Sequence, residues 1–152
     1  MDKTSLLAST VKTARFVFFG ILIQSTLFSF WGLEFFITQP GPQSAPLPVY
    51  VVFVLMAIIS FVYGIRFFHN YMKVRGAKLK AYEGRKLKET LLLVYAIQIL
   101  LLEFVAIIGI MIAIFTQTAW LIYPFFLLFL IGMWFSYPQK SLFENYFGEP
   151  SP

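Results

Sequence analysis

The chain has 152 residues, of which 59% are hydrophobic, 20% aromatic and only 12% charged. Water-soluble domains carry about 25% charge, and nineteen phenylalanines exceed what one small aqueous core can hide, so the composition is that of a membrane protein. Cysteine is absent and His69 is the single histidine, which excludes disulfides, thiolate chemistry and thiolate metal sites. Neither a glycine-rich phosphate loop nor an HExxH motif occurs. The chain therefore reads as non-enzymatic, with no metal and no cofactor.

A helix needs about 20 mostly apolar residues to cross the hydrocarbon core, and four runs meet or approach this, at 14–37, 48–68, 90–115 and 120–137. The first contains "FVFFGILIQSTLFSFWGLEFFI". That stretch is longer than the h-region of a signal peptide and lacks an A-x-A-like cleavage site, so it reads as an uncleaved span. Between the first two runs lies the uncharged "TQPGPQSAPLP" at 38–48. The third holds a single carboxylate, Glu103, and no basic residue. The fourth is the shortest, with Trp120 and Tyr123 at one end and Trp134 and Tyr137 at the other, as interfaces favour. The expected fold is all-α: a polytopic membrane protein in which residues 1–152 form one domain of four transmembrane helices, arranged as two hairpins.

The basic residues set the orientation. Arg66, Lys73, Arg75, Lys78, Lys80, Arg85, Lys86 and Lys88 all fall in the 66–89 connection, while Lys3, Lys12 and Arg15 precede the first span and Lys140 follows the last. By the positive-inside rule both termini and this basic loop are cytoplasmic. The net charge of +5 then reflects topology and attraction to anionic lipid headgroups. No aromatic stacking pattern interleaves the basic residues, so nucleic acid is not an expected partner. The loop has no proline and only Gly76 and Gly84 interrupt it, which predicts that spans 2 and 3 continue as helices for a turn or two before a short turn. In the tail, Ser141 and Glu144 have capping-box spacing ahead of Gly148 and Pro150, and Leu142, Phe143, Tyr146 and Phe147 offer apolar anchors; a short interfacial helix is expected.

A weak internal repeat is also legible. Placing Thr26 over Glu103 sets Gly32 on Gly109, and "GIRFF" (64–68) lies over "GMWFS" (132–136). The two halves would be parallel hairpins joined by the basic loop.

Glu103 is the candidate functional residue. It sits midway along the third span, where an ionised carboxylate costs about 2.5–3.5 kcal/mol on translocon scales. That cost falls away when the carboxyl holds a proton, but a protonated carboxyl still needs hydrogen-bond partners in hydrocarbon. Gln24, Ser25 and Thr26 lie at the same depth in the first span, and Ser60 near the middle of the second. The simplest arrangement packs span 1 on span 3, with Glu103 bonded to the Gln24–Ser25–Thr26 cluster. Tyr95 and Gln98 share Glu103's helix but not its face. Two readings stay open: a proton- or cation-binding site, or interhelical hydrogen-bond glue. Glu34 lies near the outer end of span 1 and reaches water; His69 sits at the cytoplasmic end of span 2 and reads as interfacial.

"LLEFVAIIGI" (101–110) resembles the carboxylate helix of the rotary-ATPase proteolipid, the c subunit, where a mid-membrane carboxylate is followed six residues later by glycine, as Glu103 is by Gly109. The direction of the helix also agrees. The resemblance implies that Glu103 binds H⁺ or Na⁺ at the rim of a ring. The chain departs from that family in its partner span, where only Gly64 is glycine, and in having spans 1 and 4 at all. The expected protein is thus an integral, multi-pass subunit of a prokaryotic inner membrane. Its expected partners are the lipid bilayer and either copies of itself or other membrane subunits. The alternative is a purely structural or accessory subunit that binds partner helices or lipids.

Overall fold

The computed structural model describes residues 3–37, 47–79, 82, 84–116 and 118–147. Five α-helices and one 3₁₀ turn account for nearly all of them: α1 (Lys3–Ile37), α2 (Leu47–Leu79), α3 (Gly84–Thr116), the 3₁₀ turn Ala119–Leu121, α4 (Ile122–Phe135) and α5 (Lys140–Phe147). Among the described residues there is no strand. Three helices contain segments long and apolar enough to cross a membrane, Thr4–Gly32, Pro48–Gly76 and Gly84–Thr116, and a shorter apolar segment covers Ala119–Phe135.

The long helices outrun the apolar runs of the sequence, and their extensions have a physical cause. At 1.5 Å per residue, the 33 residues of α3 reach about 50 Å. Its first two turns, the last turns of α2 and the start of α1 pack on one another through Leu6, Leu7, Val11, Met72, Leu79 and Leu87, all buried in one continuous cluster. Lys88 Nζ donates to Ser9 Oγ across the same end of the bundle at 2.6 Å. The expected helical continuation of the basic loop is therefore present. Gly76 is buried inside α2, and the connection between the helices narrows to 80–83. Gly84 opens α3 at φ 55°, a left-handed conformation that glycine adopts without penalty. Tyr82 bridges the turn by donating its N–H to the Leu79 carbonyl at 2.9 Å. Exposed Arg85 and Glu89 pair one helical turn apart at 2.6 Å, and the carboxylate raises the guanidinium pKa.

The hub is α3. Of the most apolar 18-residue stretch of α3, 56% of residues are buried, against 33% for that of α1 and 11% for that of α2, because α1, α2 and α4 each pack principally on α3. Two parallel hairpins related by an internal repeat would need α1 on α2 as closely as α3 on α4. Instead α1 and α2 lie on different sides of α3, so the repeat legible in the sequence has no counterpart in the packing. Close approach to the hub uses glycine. A Cβ on Gly64 of α2 would come within 2.7 Å of Leu102 Cδ2, and one on Gly132 of α4 would meet the same atom at 2.7 Å. Leu102, fully buried, is thus wedged between two glycines on two helices.

The tail forms the expected short helix, α5, but with other contacts than expected. Helix α5 begins at Lys140, so Ser141 lies inside its first turn and no Ser141–Glu144 capping box forms; Glu144 pairs with Lys140 at 2.8 Å instead. Phe143 is no lipid anchor either. It is fully buried and meets the rings of Phe68 and Tyr95 edge-on at 5.7 and 6.0 Å. The end of the long helices leaves an apolar surface that α5 covers. The expected stop at Gly148 and Pro150, and the anchors Tyr146 and Phe147 as side chains, lie outside the described residues.

Gly109→Ala would set a Cβ 2.5 Å from Phe125 Cβ, an atom tied to the α4 backbone, whereas Gly20→Ala meets nothing within 4 Å. Gly109→Ala is expected to lower stability by about 1–3 kcal/mol and Gly20→Ala to leave it unchanged or raise it slightly, measured by thermal unfolding in detergent.

Candidate functional site

Seven buried polar or charged side chains sit among the described residues: Thr10, Ser25, Ser29, Gln98, Glu103, Thr116 and Ser136. Thr10 and Thr116 satisfy their hydroxyls on their own helices, bonding the Leu6 and Ile112 carbonyls at 2.8 Å. The other five form two groups on opposite sides of α3.

The first group contains Glu103. Its side chain lies against α1 with 8% exposure, and Ser25 Oγ donates to Glu103 Oε1 at 3.0 Å. The pairing follows from helix periodicity. Ala14, Phe18, Ser25, Ser29 and Gly32 recur at three, four or seven residues and are all buried, which marks them as one face of α1. Gln24 and Thr26 are each rotated about 100° from Ser25 and cannot share that face. Gln24 is exposed, and Thr26 turns its hydroxyl back to the Leu22 carbonyl at 2.7 Å. Ser60, half-buried on α2, makes no hydrogen bond to Glu103. Of the four candidate partners the structure brings one, Ser25, to the carboxylate. Ser29, one turn further along the same face, is 3% exposed, and its hydroxyl has no hydrogen-bond partner.

The second group was not read from the sequence as a site. Tyr95 OH donates to the Ser136 carbonyl at 2.9 Å, and Gln98 Nε2 donates to Ser136 Oγ at 3.0 Å and, more weakly, to the Ile65 carbonyl at 3.4 Å. The two side chains are three residues apart on α3 and share a face, turned to α2 and the end of α4. The signal was present: an amide and a phenol at helical spacing inside an apolar run. What hid the group was Ser136, which the sequence places near the end of the fourth apolar run with nothing to mark it as the partner of either side chain.

Two further residues singled out in the sequence lie apart from both groups. Glu34 is exposed and lines a surface groove with Trp31, Trp120 and Tyr123. His69 is exposed on α2. No cluster of three metal-ligating side chains occurs among the described residues. Compared with known protein families, curated proteins and solved structures, the chain finds no match in any of the three.

The arrangement can do one thing chemically at Glu103: hold a carboxyl in a low-dielectric seam between α1 and α3, with one donor engaged and a second hydroxyl close by along the helix. Ser25→Ala removes that donor and is expected to cost about 0.6–1.7 kcal/mol, the range of interhelical hydrogen bonds in membranes. Gln24→Ala, one residue away on the exposed face, is expected to stay within about 0.5 kcal/mol of the parent. Reversible unfolding in mixed micelles measures both.

Proposed function

We propose that the protein is a non-enzymatic, four-span integral membrane subunit with both termini cytoplasmic, acting as a structural or accessory component of a membrane assembly, with Glu103 as an interhelical hydrogen-bonding residue. The observation that carries this reading is the shielding of Glu103: it is 92% buried by its own chain and engaged by Ser25. A carboxyl that serves ions at the rim of a ring has to face outward from its subunit. Glu103 faces inward.

The topology has independent support. Ser9 near the start of α1 accepts from Lys88 near the start of α3, and Phe143 of α5 meets Phe68 and Tyr95, which supports placing the start of α1, α5 and the basic connection at one end of the bundle. That placement favours an even number of crossings. Ala119–Phe135 then makes the fourth, at about 25 Å of helix, with Trp120 and Trp134 at its ends to bridge the remaining thickness. Outside the hub, α2 presents Val51, Val52, Leu55, Ile58, Ile59 and Val62 outward, an aliphatic surface suited to lipid tails or to partner helices.

One observation favours the second reading, a proton- or cation-binding role. The unpartnered Ser29 hydroxyl gives the α1–α3 seam more polar capacity than one Ser25–Glu103 bond uses. In that role Glu103, Ser25 and Ser29 would share the ligand.

Cysteines introduced singly at Gln43 and Lys80 into this thiol-free chain are expected to label from opposite sides of a sealed membrane; labelling of both from one side ends the four-span topology. For Glu103, the expected result is resistance to a hydrophobic carbodiimide, which needs an accessible protonated carboxyl, together with an unaltered assembly in Glu103→Gln. Rapid modification that slows at raised pH or on adding Na⁺ replaces the structural reading with the ion-binding one.

A further inference from the structure

The end of the bundle away from the basic connection carries an exposed carboxylate in an aromatic setting. Residues 16–65 hold a single charged side chain, Glu34, and residues 104–139 hold none. These are the stretches that meet there. The rings of Phe53 on α2 and Phe115 on α3 lie 5.7 Å apart, and a Cβ on Gly32 of α1 would meet Ile110 of α3 and Ile122 of α4. Whatever hydrogen bonds Glu34 makes within the chain, this end of the molecule is net negative.

Glu34 does not stand alone. Leu27, Phe30, Trp31 and Glu34 are spaced as i, i+3, i+4 and i+7, which puts them on one face of α1. That face forms one wall of a groove of about 810 Å³, and Trp120 of the 3₁₀ turn and Tyr123 near the start of α4 form the other. Four aromatic side chains and one carboxylate thus line a single cavity. Membrane interfaces enrich tryptophan and tyrosine as anchors, which accounts for the rings but not for a carboxylate set among them. An aromatic ring is negative over its face, so the rings and Glu34 attract the same sign of charge.

We propose that this groove binds one free lipophilic organic cation of the quaternary ammonium class. Such a cation has no N–H group and needs no hydrogen-bond acceptor, so aromatic faces can replace its hydration, as they do in aromatic cages. The groove falls within the size range of small-molecule sites, about 300–1,000 Å³. A calcium ion fits less well, because it takes about six to eight oxygen ligands and Glu34 is the one carboxylate lining the groove. A choline phospholipid also fits less well. Its phosphate would enter a net-negative end whose sequence stretches contain no basic residue. The inference uses neither the number of crossings nor the role of Glu103.

The test uses the full chain in uncharged dodecyl maltoside micelles, titrated calorimetrically with protein-free micelles as the blank. Three probes are compared: benzyltrimethylammonium, its neutral carbon isostere neopentylbenzene, and glycerophosphocholine. The wild type is expected to bind one benzyltrimethylammonium per chain, about fivefold or more tighter than the isostere, the worth of one or two exposed cation–π contacts. Glycerophosphocholine should bind more weakly than benzyltrimethylammonium. Trp31→Leu and Trp120→Leu should each weaken binding of the cation about two- to fivefold. Glu34→Gln should weaken it by up to about fivefold and reduce its sensitivity to added salt. Trp134→Leu, in the groove between α1 and α4 at the other end, should change nothing. Equal binding of the cation and its isostere by the wild type overturns the proposal without any variant having to fold, and so does a titration that never saturates. Glycerophosphocholine binding as tightly as benzyltrimethylammonium makes this a lipid-headgroup site and overturns it too, as does unaltered affinity in both Trp120→Leu and Glu34→Gln.

Discussion

The structure depends on the enclosure of α3. Every other described helix meets it, and the chemical device changes with the face of α3, because one helix turns about 100° per residue. Leu102 turns toward α2 and α4 and is received by Gly64 and Gly132. Its neighbour Glu103 turns toward α1 and is received by Ser25. A turn earlier, Tyr95 and Gln98 reach the end of α4. In the bilayer setting proposed for this chain, lipid tails are as apolar as leucine, so burial gives little drive for helices to associate. Close backbone approach and hydrogen bonding are what remain, and glycine and serine are the residues that supply them.

The end of α4 shows how the same hub shapes the chain path. Ser136 terminates the helix with its N–H on the Gly132 and Met133 carbonyls. The last carbonyls of any helix need partners from outside it. Here the Ser136 carbonyl is taken by Tyr95 OH, and the Ser136 hydroxyl by Gln98. With α4 fixed there, buried Pro138 prevents its continuation, and the chain turns into α5 so that Phe143 fills the space over Phe68 and Tyr95. A shortened fourth helix and a docked tail are therefore one arrangement, held by two side chains of α3.

How much of this could be read from the chain depends on what each feature requires. The existence of the helices needs only long apolar runs, and the helical character of the basic connection needs only the absence of proline, so both were legible. The rotation of α1 was not. Its apolar residues lie all round the helix, as they do for any helix bathed in an apolar medium, and three adjacent polar residues at 24–26 cover about 200° of its circumference. Nothing local selects Ser25 among them. The selection comes from where Ala14, Phe18 and Gly32 can pack, and that is a property of α3. The burial of Phe143 was hidden for a related reason. Amphipathic tails look alike whether their apolar face meets lipid or protein, and only the ends of α2 and α3, carried past the apolar runs, decide between them. The repeat matched glycines correctly and misjudged their meaning: Gly64 and Gly132 are equivalent because both must pass Leu102, which a common hub explains without two equivalent hairpins.

The position of Glu103 then sets what any activity at that residue would demand. To exchange a proton or an ion with the surroundings, its carboxyl has to be uncovered, and the element covering it is α1. That helix is not free to leave. Its first turns are locked to the ends of α2 and α3 through Leu6, Leu7 and Val11 and to Lys88 through Ser9. Past Ser25, Ser29 brings an unused hydroxyl to the seam, and a Cβ at Gly32 would meet Ile110 and Ile122 side-chain ends at 3.7 Å and beyond. Exposing the carboxyl therefore has to break the Ser25–Glu103 bond that joins the two helices, and it works against an α1 whose first turns are anchored to the ends of α2 and α3.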